Sequence, residues 1–179
     1  GSQSNFSILP WILGKLSLVA GIPTIFMFGT LSALLLFAFS SWYALSALLP
    51  ARQRYWAWLG VLCLPSTYGA VRIFSYSENF LTPRPFAESL CLLCIGLLAR
   101  KQWRTAGICL LLALLLHPLQ GIAGMLIIWP WAVMQDRRWL HAAWLAVPVL
   151  ALALFGVQPF DGLLQRTDAA WLKSLGDSW

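Results

Sequence analysis

The run Ile22-Pro23-Thr24-Ile25-Phe26-Met27-Phe28-Gly29-Thr30-Leu31-Ser32-Ala33-Leu34-Leu35-Leu36-Phe37-Ala38-Phe39-Ser40-Ser41-Trp42-Tyr43-Ala44-Leu45-Ser46-Ala47-Leu48-Leu49 contains no Asp, Glu, Lys, Arg or His and stops only at Pro50. A helix needs about 20 apolar residues to cross a hydrocarbon core roughly 30 Å thick, and this run meets the need by itself. Composition extends the reading to the rest of the chain. Of the 179 residues, 60% are apolar and 10% charged, with a mean hydropathy of +0.75, whereas a soluble domain carries about 25% charged residues to cover its surface. The missing charge means that much of the surface faces lipid. A chain of this length reads as one domain, residues 1–179, with room for roughly four to six membrane segments. Eleven Trp agree, because indole favours the boundary between lipid and water. The expected fold class is all-α, a polytopic transmembrane helix bundle with broken or short helices.

Breakers and charges divide the chain. A Gly-interrupted apolar segment is expected over residues 6–20, then 22–49, then 55–74, the last broken by Pro65 and Gly69 and so kinked or partly re-entrant. After a polar stretch, 75–82, a fourth helix begins with Thr82 as N-cap and Pro83 at the first helical position, where the N–H would be unpaired anyway. It ends near Arg100. The stretch 105–134 is too long for one span and too short for two comfortable ones, with His117-Pro118 near its middle. Proline disfavours helical backbone in the residue before it, which predicts two short helices meeting at a break over 117–121. A last span covers 140–157. In the tail, 158–179, Asp161, Arg166, Asp168 and Lys173 lie among Leu163, Leu164, Trp171 and Leu172, the pattern of an amphipathic interfacial helix. The opening Gly1-Ser2, without Met, reads as a cloning remnant or the start of an excised piece, and no removable signal peptide is expected.

Three short basic loops set the orientation. Arg52 and Arg54, then Arg100, Lys101 and Arg104, then Arg137 and Arg138 are accompanied by one acid, Asp136, and so carry the whole formal net charge of +6. Positive loops stay in the cytoplasm. Nucleic-acid binding would instead need the basic residues clustered on one accessible groove, so no nucleic-acid partner is expected. The same orientation puts the His117-Pro118 break deep in the membrane or at its outer side, and residues 75–85 and the tail outside.

Most residues able to do chemistry then share one side. The stretch 72–88 holds Arg72, Glu78, Asn79, Arg84 and Glu88 in a chain with only six acids. Arg84 in the first turn of a helix is placed to bind phosphate through dipole, N–H donors and charge together. The bland alternative is that Arg84 and Glu88, four apart, neutralise each other. Glu78, in reach of Arg72, is either a general base raised by partial burial or a solvated loop acid. His117 is costly inside a membrane segment; it either faces a cavity, kept polar by Gln120, or donates to a carbonyl freed by Pro118. Cys91 and Cys94 show C-x-x-C spacing but lie in an apolar helix without further ligands at zinc spacing. They read as packing residues, and neither a metal nor a cofactor is expected.

The Glu78-Asn79-Phe80-Leu81-Thr82-Pro83-Arg84-Pro85 loop, the following Glu88 and the His117-Pro118 break together resemble the bacterial inner-membrane glycosyltransferases of the GT-C type. The resemblance covers about the middle third of the chain. That family's acidic motif in a first large external loop and its large external domain have no counterpart among these residues. The resemblance implies a multi-pass protein of the bacterial inner membrane that takes a sugar from a polyprenyl-phosphate donor at the outer face. Glu78, Glu88 and His117 would then be catalytic, with Glu78 or Glu88 as base and His117 positioning substrate. Arg84 would bind the donor phosphate, with Arg72, Asn79 and Gln120 beside it. The rivals are a transporter or flippase of lipid-linked substrates, and a non-catalytic subunit working with partner membrane subunits. A transporter should offer polar residues along both halves of a path, and the cytoplasmic half here is nearly featureless, which favours an outward-facing site.

Overall fold

The computed structural model describes residues 7–64, 67–68, 74–75 and 81–156. The kink expected at Pro65 and Gly69, most of the polar stretch before the fourth helix and the tail 158–179 lie outside the described residues. The regular structure is helical, apart from a two-residue antiparallel pairing of β1 (Thr67–Tyr68) with β2 (Phe74–Ser75). Two compact units divide the chain, one reaching Ala132 and one starting at Val133.

Prolines fix most helix boundaries. After the short α1 (Leu9–Leu16), α2 (Ile22–Leu48) carries Pro23 in its first turn, where no N–H is needed. It ends because Leu49, preceding Pro50, is extended at φ −120° and ψ 147°. Its 27 residues reach about 40 Å at 1.5 Å per residue. Among the described residues it is the one helix long and apolar enough to cross a membrane. The third helix, α3 (Ala51–Leu62), corrects the expected span over 55–74. Pro50 supplies its cap position, so Arg52 and Arg54 lie in a helix rather than a loop, and the helix stops short of Pro65.

The fourth helix, α4 (Arg84–Ala99), also differs from expectation at its start. Pro83, not Thr82, holds the cap position, with φ already helical at −73°, and its carbonyl accepts the Ala87 N–H at 3.0 Å. No side chain caps it. At its other end the Lys101 N–H donates to the Leu98 carbonyl at 2.8 Å and the Gln102 N–H to the Leu97 carbonyl at 2.9 Å. These two bonds are a Schellman turn, with Lys101 in the left-handed position at φ 61°. The chain then reverses into α5 (Trp103–Leu116), and α6 (Pro118–Gln135) follows after one residue.

The expected last span over 140–157 is instead a 3₁₀ helix, Arg137–Leu145, followed by α7 (Ala146–Leu154). Asp136 caps the 3₁₀ helix by accepting the Arg138 N–H at 2.9 Å. A continuous α-helix would require an N–H from Pro148 to reach back one turn. Restarting at Ala146 puts Pro148 in a first turn, where that donor is not needed.

Within the first unit α2 and α4 run parallel. A Cβ on Gly29 would meet the Leu81 side chain, and one on Gly96 would lie 3.0 Å from the Ala44 Cα, so contacts advance in step along both helices. Arg100 closes this seam. Its guanidinium donates to the carbonyls of Tyr43 and Gly96 at 3.0 Å each and to the Ser46 hydroxyl at 2.6 Å, and stacks 3.9 Å from the Tyr43 ring centroid. α3 folds back along α2, held by the Trp58 indole N–H, which donates to the Ala38 carbonyl at 2.9 Å and to the Ser41 hydroxyl at 3.2 Å. α5 returns antiparallel along α4, where Cys94, Leu97, Leu98, Ala106, Cys109 and Ile128 form the main buried cluster.

Outside the main cluster, where Leu97, Leu98 and Ile128 are buried, the buried residues of α2, α5 and α6 are small and the exposed ones large. The largest fully buried side chains are Cys94, Ser40 and Ser89. On α5 the buried positions are Ala106, Cys109 and Ala113, while Ile108, Leu111, Leu112 and Leu115 are exposed. On α6 the buried stripe is Gly121, Gly124, Ile128 and Ala132, against exposed Leu119, Met125, Leu126 and Ile127. α2 repeats the pattern, burying Ala33, Ser40, Ser41 and Ala44 while exposing Phe28, Leu31, Leu35 and Phe39. Folding in water buries the largest apolar side chains. Helices packed in lipid bring small residues together instead, because the surroundings are as apolar as Leu.

Candidate functional site

The α5–α6 break arises from a single proline and is repaired by Ser7 and Ile8 on one side and by His117 on the other. His117, just before Pro118, is extended at φ −148° and ψ 94°. The last carbonyls of α5 therefore lose their helical donors. The Ile8 N–H donates to the Leu115 carbonyl at 3.2 Å, and the Ser7 hydroxyl donates to the Leu116 carbonyl at 2.5 Å. On the other side of the break His117 starts α6. Its carbonyl accepts the Gly121 N–H at 2.9 Å, and its Nδ1 accepts the Gln120 N–H at 3.2 Å. This is side-chain capping at the third helical N–H, performed by an imidazole. An accepting Nδ1 leaves the ring proton on Nε2, the atom that remains for contacts beyond the cap.

The start of α4 packs against this break. Ala87 and Cys91 form a buried cluster with Ala113, joined by Leu90 and Leu116. A Cβ on Gly124 would strike the Cys91 sulfur, and that sulfur lies 3.9 Å from the Gln120 carbonyl oxygen. Glu88 stands one residue beyond Ala87 and one turn after Arg84, and both are half-buried. The helix beginning with Arg84 and the break carrying His117 and Gln120 thus occupy one region of the first unit. Of the other residues singled out from sequence, Arg72, Glu78 and Asn79 lie outside the described residues.

Among the described residues no group of three or more His, Cys, Asp or Glu is placed to hold a metal. Cys91, Cys94 and Cys109 are buried free thiols in the helix seams, and Cys63 is exposed. Two features were missed from sequence. Ser7 completes the break from more than a hundred residues away, and Arg100, read as a loop charge, clamps α2 to α4. Neither has a local signal, since each depends on a partner distant in sequence. Compared with protein-family models, curated proteins and solved structures, the chain has no significant match.

Proposed function

We propose that this chain is a multi-pass protein of the bacterial inner membrane that acts on a lipid-linked anionic substrate, and that its reaction is sugar transfer from a polyprenyl-phosphate donor at the outer face. The membrane reading is supported by the inversion of side-chain size, small within and large without, on α2, α5 and α6. The observation that carries the functional reading is the packing of the α4 start against the α5–α6 break through Ala87, Cys91, Ala113 and Gly124, which brings the helix that begins with Arg84 and Glu88 near the turn that carries His117 and Gln120. In this reading Arg84 holds the donor phosphate with its planar pair of donors, and Glu88 or Glu78 takes the proton from the acceptor hydroxyl. The Nε2 proton of His117 and the Gln120 amide orient the bound groups. Arg72 and Asn79 extend the site from the preceding loop.

Retention of polyprenyl phosphate by the detergent-solubilised protein, followed by native mass spectrometry, tests it. Arg84→Lys keeps the charge but loses the two-pronged geometry. The expected result is about tenfold weaker retention, equivalent to one charge-assisted hydrogen bond, with an unchanged melting midpoint. If Arg84→Lys retains the lipid fully while Glu88→Gln lowers the melting midpoint, Arg84 serves only to neutralise Glu88 and the glycosyltransferase reading fails.

A further inference from the structure

We propose that the α2–α3 hairpin binds an anionic phospholipid, with its phosphate at Arg54, Arg52 adding positive charge at the same helix end, and an acyl chain in the aromatic groove between the two helices. The groove has a volume of about 310 Å³ and is lined by Ala38, Phe39, Trp42, Tyr55 and Trp58. That size is at the lower end for ligand sites. The Trp58 indole N–H is already used inside the hairpin, so this wall offers an apolar face. Trp42 packs 5.0 Å from Tyr55 and 5.5 Å from Trp58, centroid to centroid, and lines the groove with them.

Charge identifies the occupant. The Arg54 guanidinium lies over the Trp42 ring, 5.9 Å from its centroid, on the same side chain that lines the groove. Its Nε is buried and has no hydrogen-bond partner among the described residues. Arg52 and Arg54 also stand in the first turn of α3, which has no acidic residue and no side-chain cap, so two cations face the positive end of a helix dipole. Residues 1–77 contain no Asp or Glu, so the hairpin cannot neutralise itself. Nε itself is out of reach, but an external anion attached to an apolar chain meets the rest of the half-buried Arg54, the helix end and the groove together. Arg54 and Arg100 both stack on the C-terminal part of α2, on Trp42 and Tyr43. Arg84 lies at the other end of the α2–α4 seam, beside Leu81 and Gly29. The two lipid sites are therefore distinct, and this one belongs to the leaflet of the basic residues.

The inference rests on the membrane reading for the source of its lipid. Native mass spectrometry of the detergent-solubilised full chain, titrated with phosphatidylglycerol, phosphatidylcholine of the same chains, and glycerol 3-phosphate, tests it. Phosphatidylglycerol should be retained over phosphatidylcholine, and glycerol 3-phosphate should not compete. Each arginine near a membrane surface contributes a factor of about five in affinity for anionic lipid. Arg54→Gln should therefore weaken phosphatidylglycerol about fivefold and the Arg52→Gln/Arg54→Gln pair roughly thirtyfold, leaving phosphatidylcholine unaffected. Ala38→Trp, which fills the groove, should weaken both lipids. Equal retention of the two lipids by the parent protein overturns the site without any variant, as does full displacement by glycerol 3-phosphate. A concentration-dependent dimer abolished by Ala38→Trp, without lipid preference, assigns the groove to a second copy and also overturns it. A chain that stays soluble without detergent would end the membrane reading itself, which is a separate failure.

Discussion

Gly96 sets the distance between α2 and α4, and replacing it by Ala measures that closeness. The added Cβ would lie 2.7 Å from the Tyr43 Cδ1, 3.0 Å from the Ala44 Cα and 3.1 Å from the Ala44 N. A flexible ring can turn aside, but the two backbone atoms can yield only if the helices separate by several tenths of an ångström. Separation also stretches the Arg100 bonds that cross the seam, to the Tyr43 carbonyl and the Ser46 hydroxyl. Overpacking of this kind costs about 1–3 kcal/mol, while removing a helical glycine returns about 1 kcal/mol of propensity. Gly107→Ala on α5 is the control, because a Cβ there meets nothing within 4 Å and receives the propensity gain alone. The difference between the two variants cancels that gain and isolates the seam. Thermal unfolding can be followed through the buried Cys91, Cys94 and Cys109 thiols with a maleimide dye, in a background where exposed Cys63 is Ser. At roughly 2–4 °C per kcal/mol for a chain of this size, Gly96→Ala should melt at least about 2 °C below Gly107→Ala. A Gly96→Ala protein as stable as Gly107→Ala would refute the close approach of α2 and α4.

Two further pairs of substitutions test single positions. Lys101 pays a left-handed backbone cost in the α4–α5 turn, so Lys101→Gly should raise the melting midpoint by the equivalent of about 1 kcal/mol, and Lys101→Val should lower it; the reverse order excludes the Schellman geometry. His117→Ala should cost about 1 kcal/mol through loss of the α6 cap, whereas His117→Asn keeps an acceptor at that position and should melt close to the parent. Equal destabilisation by both would show that the imidazole's contribution lies elsewhere than in the cap.

Backbone punctuation was legible in the sequence, and side-chain partnership was not. Pro50 and Pro118 act through the residue before them, a local effect, so the end of α2 and the break at His117 could be read directly. Pro148 acts just as locally, yet an apolar run without charges hid it, and the expected last span proved to be a 3₁₀ helix with a fresh α-helix behind it. The start of α4 was off by one residue because a proline already has helical φ and can take the cap position itself. At the site, two roles for His117 were open, a cavity group or a partner for freed backbone. The freed carbonyls are in fact met by Ser7 and Ile8, and the imidazole serves the N–H side of the break. No local pattern distinguishes these, since the choice depends on where residue 7 ends up.

The seams themselves were invisible for a more general reason. Amphipathic periodicity detects a helix face by contrast of polarity, and both faces of α2, α5 and α6 are apolar or nearly so. The contrast that decides packing is one of size. Gly121, Gly124 and Ala132 lie on one stripe of α6 while Met125, Leu126 and Ile127 point away. In water this arrangement would expose the side chains that gain most from burial, at about 1.5–3 kcal/mol each. In the multi-pass reading proposed above the surroundings are hydrocarbon, so that term vanishes and what remains is backbone approach, which Gly, Ala, Ser and Cys permit. The few strong polar contacts then gain weight. Arg100 on Tyr43 and Ser46 fastens one end of the α2–α4 seam, and Ser7 with His117 completes the α5–α6 break, so the rare polar residues hold in register helices whose apolar surfaces would slide at little cost.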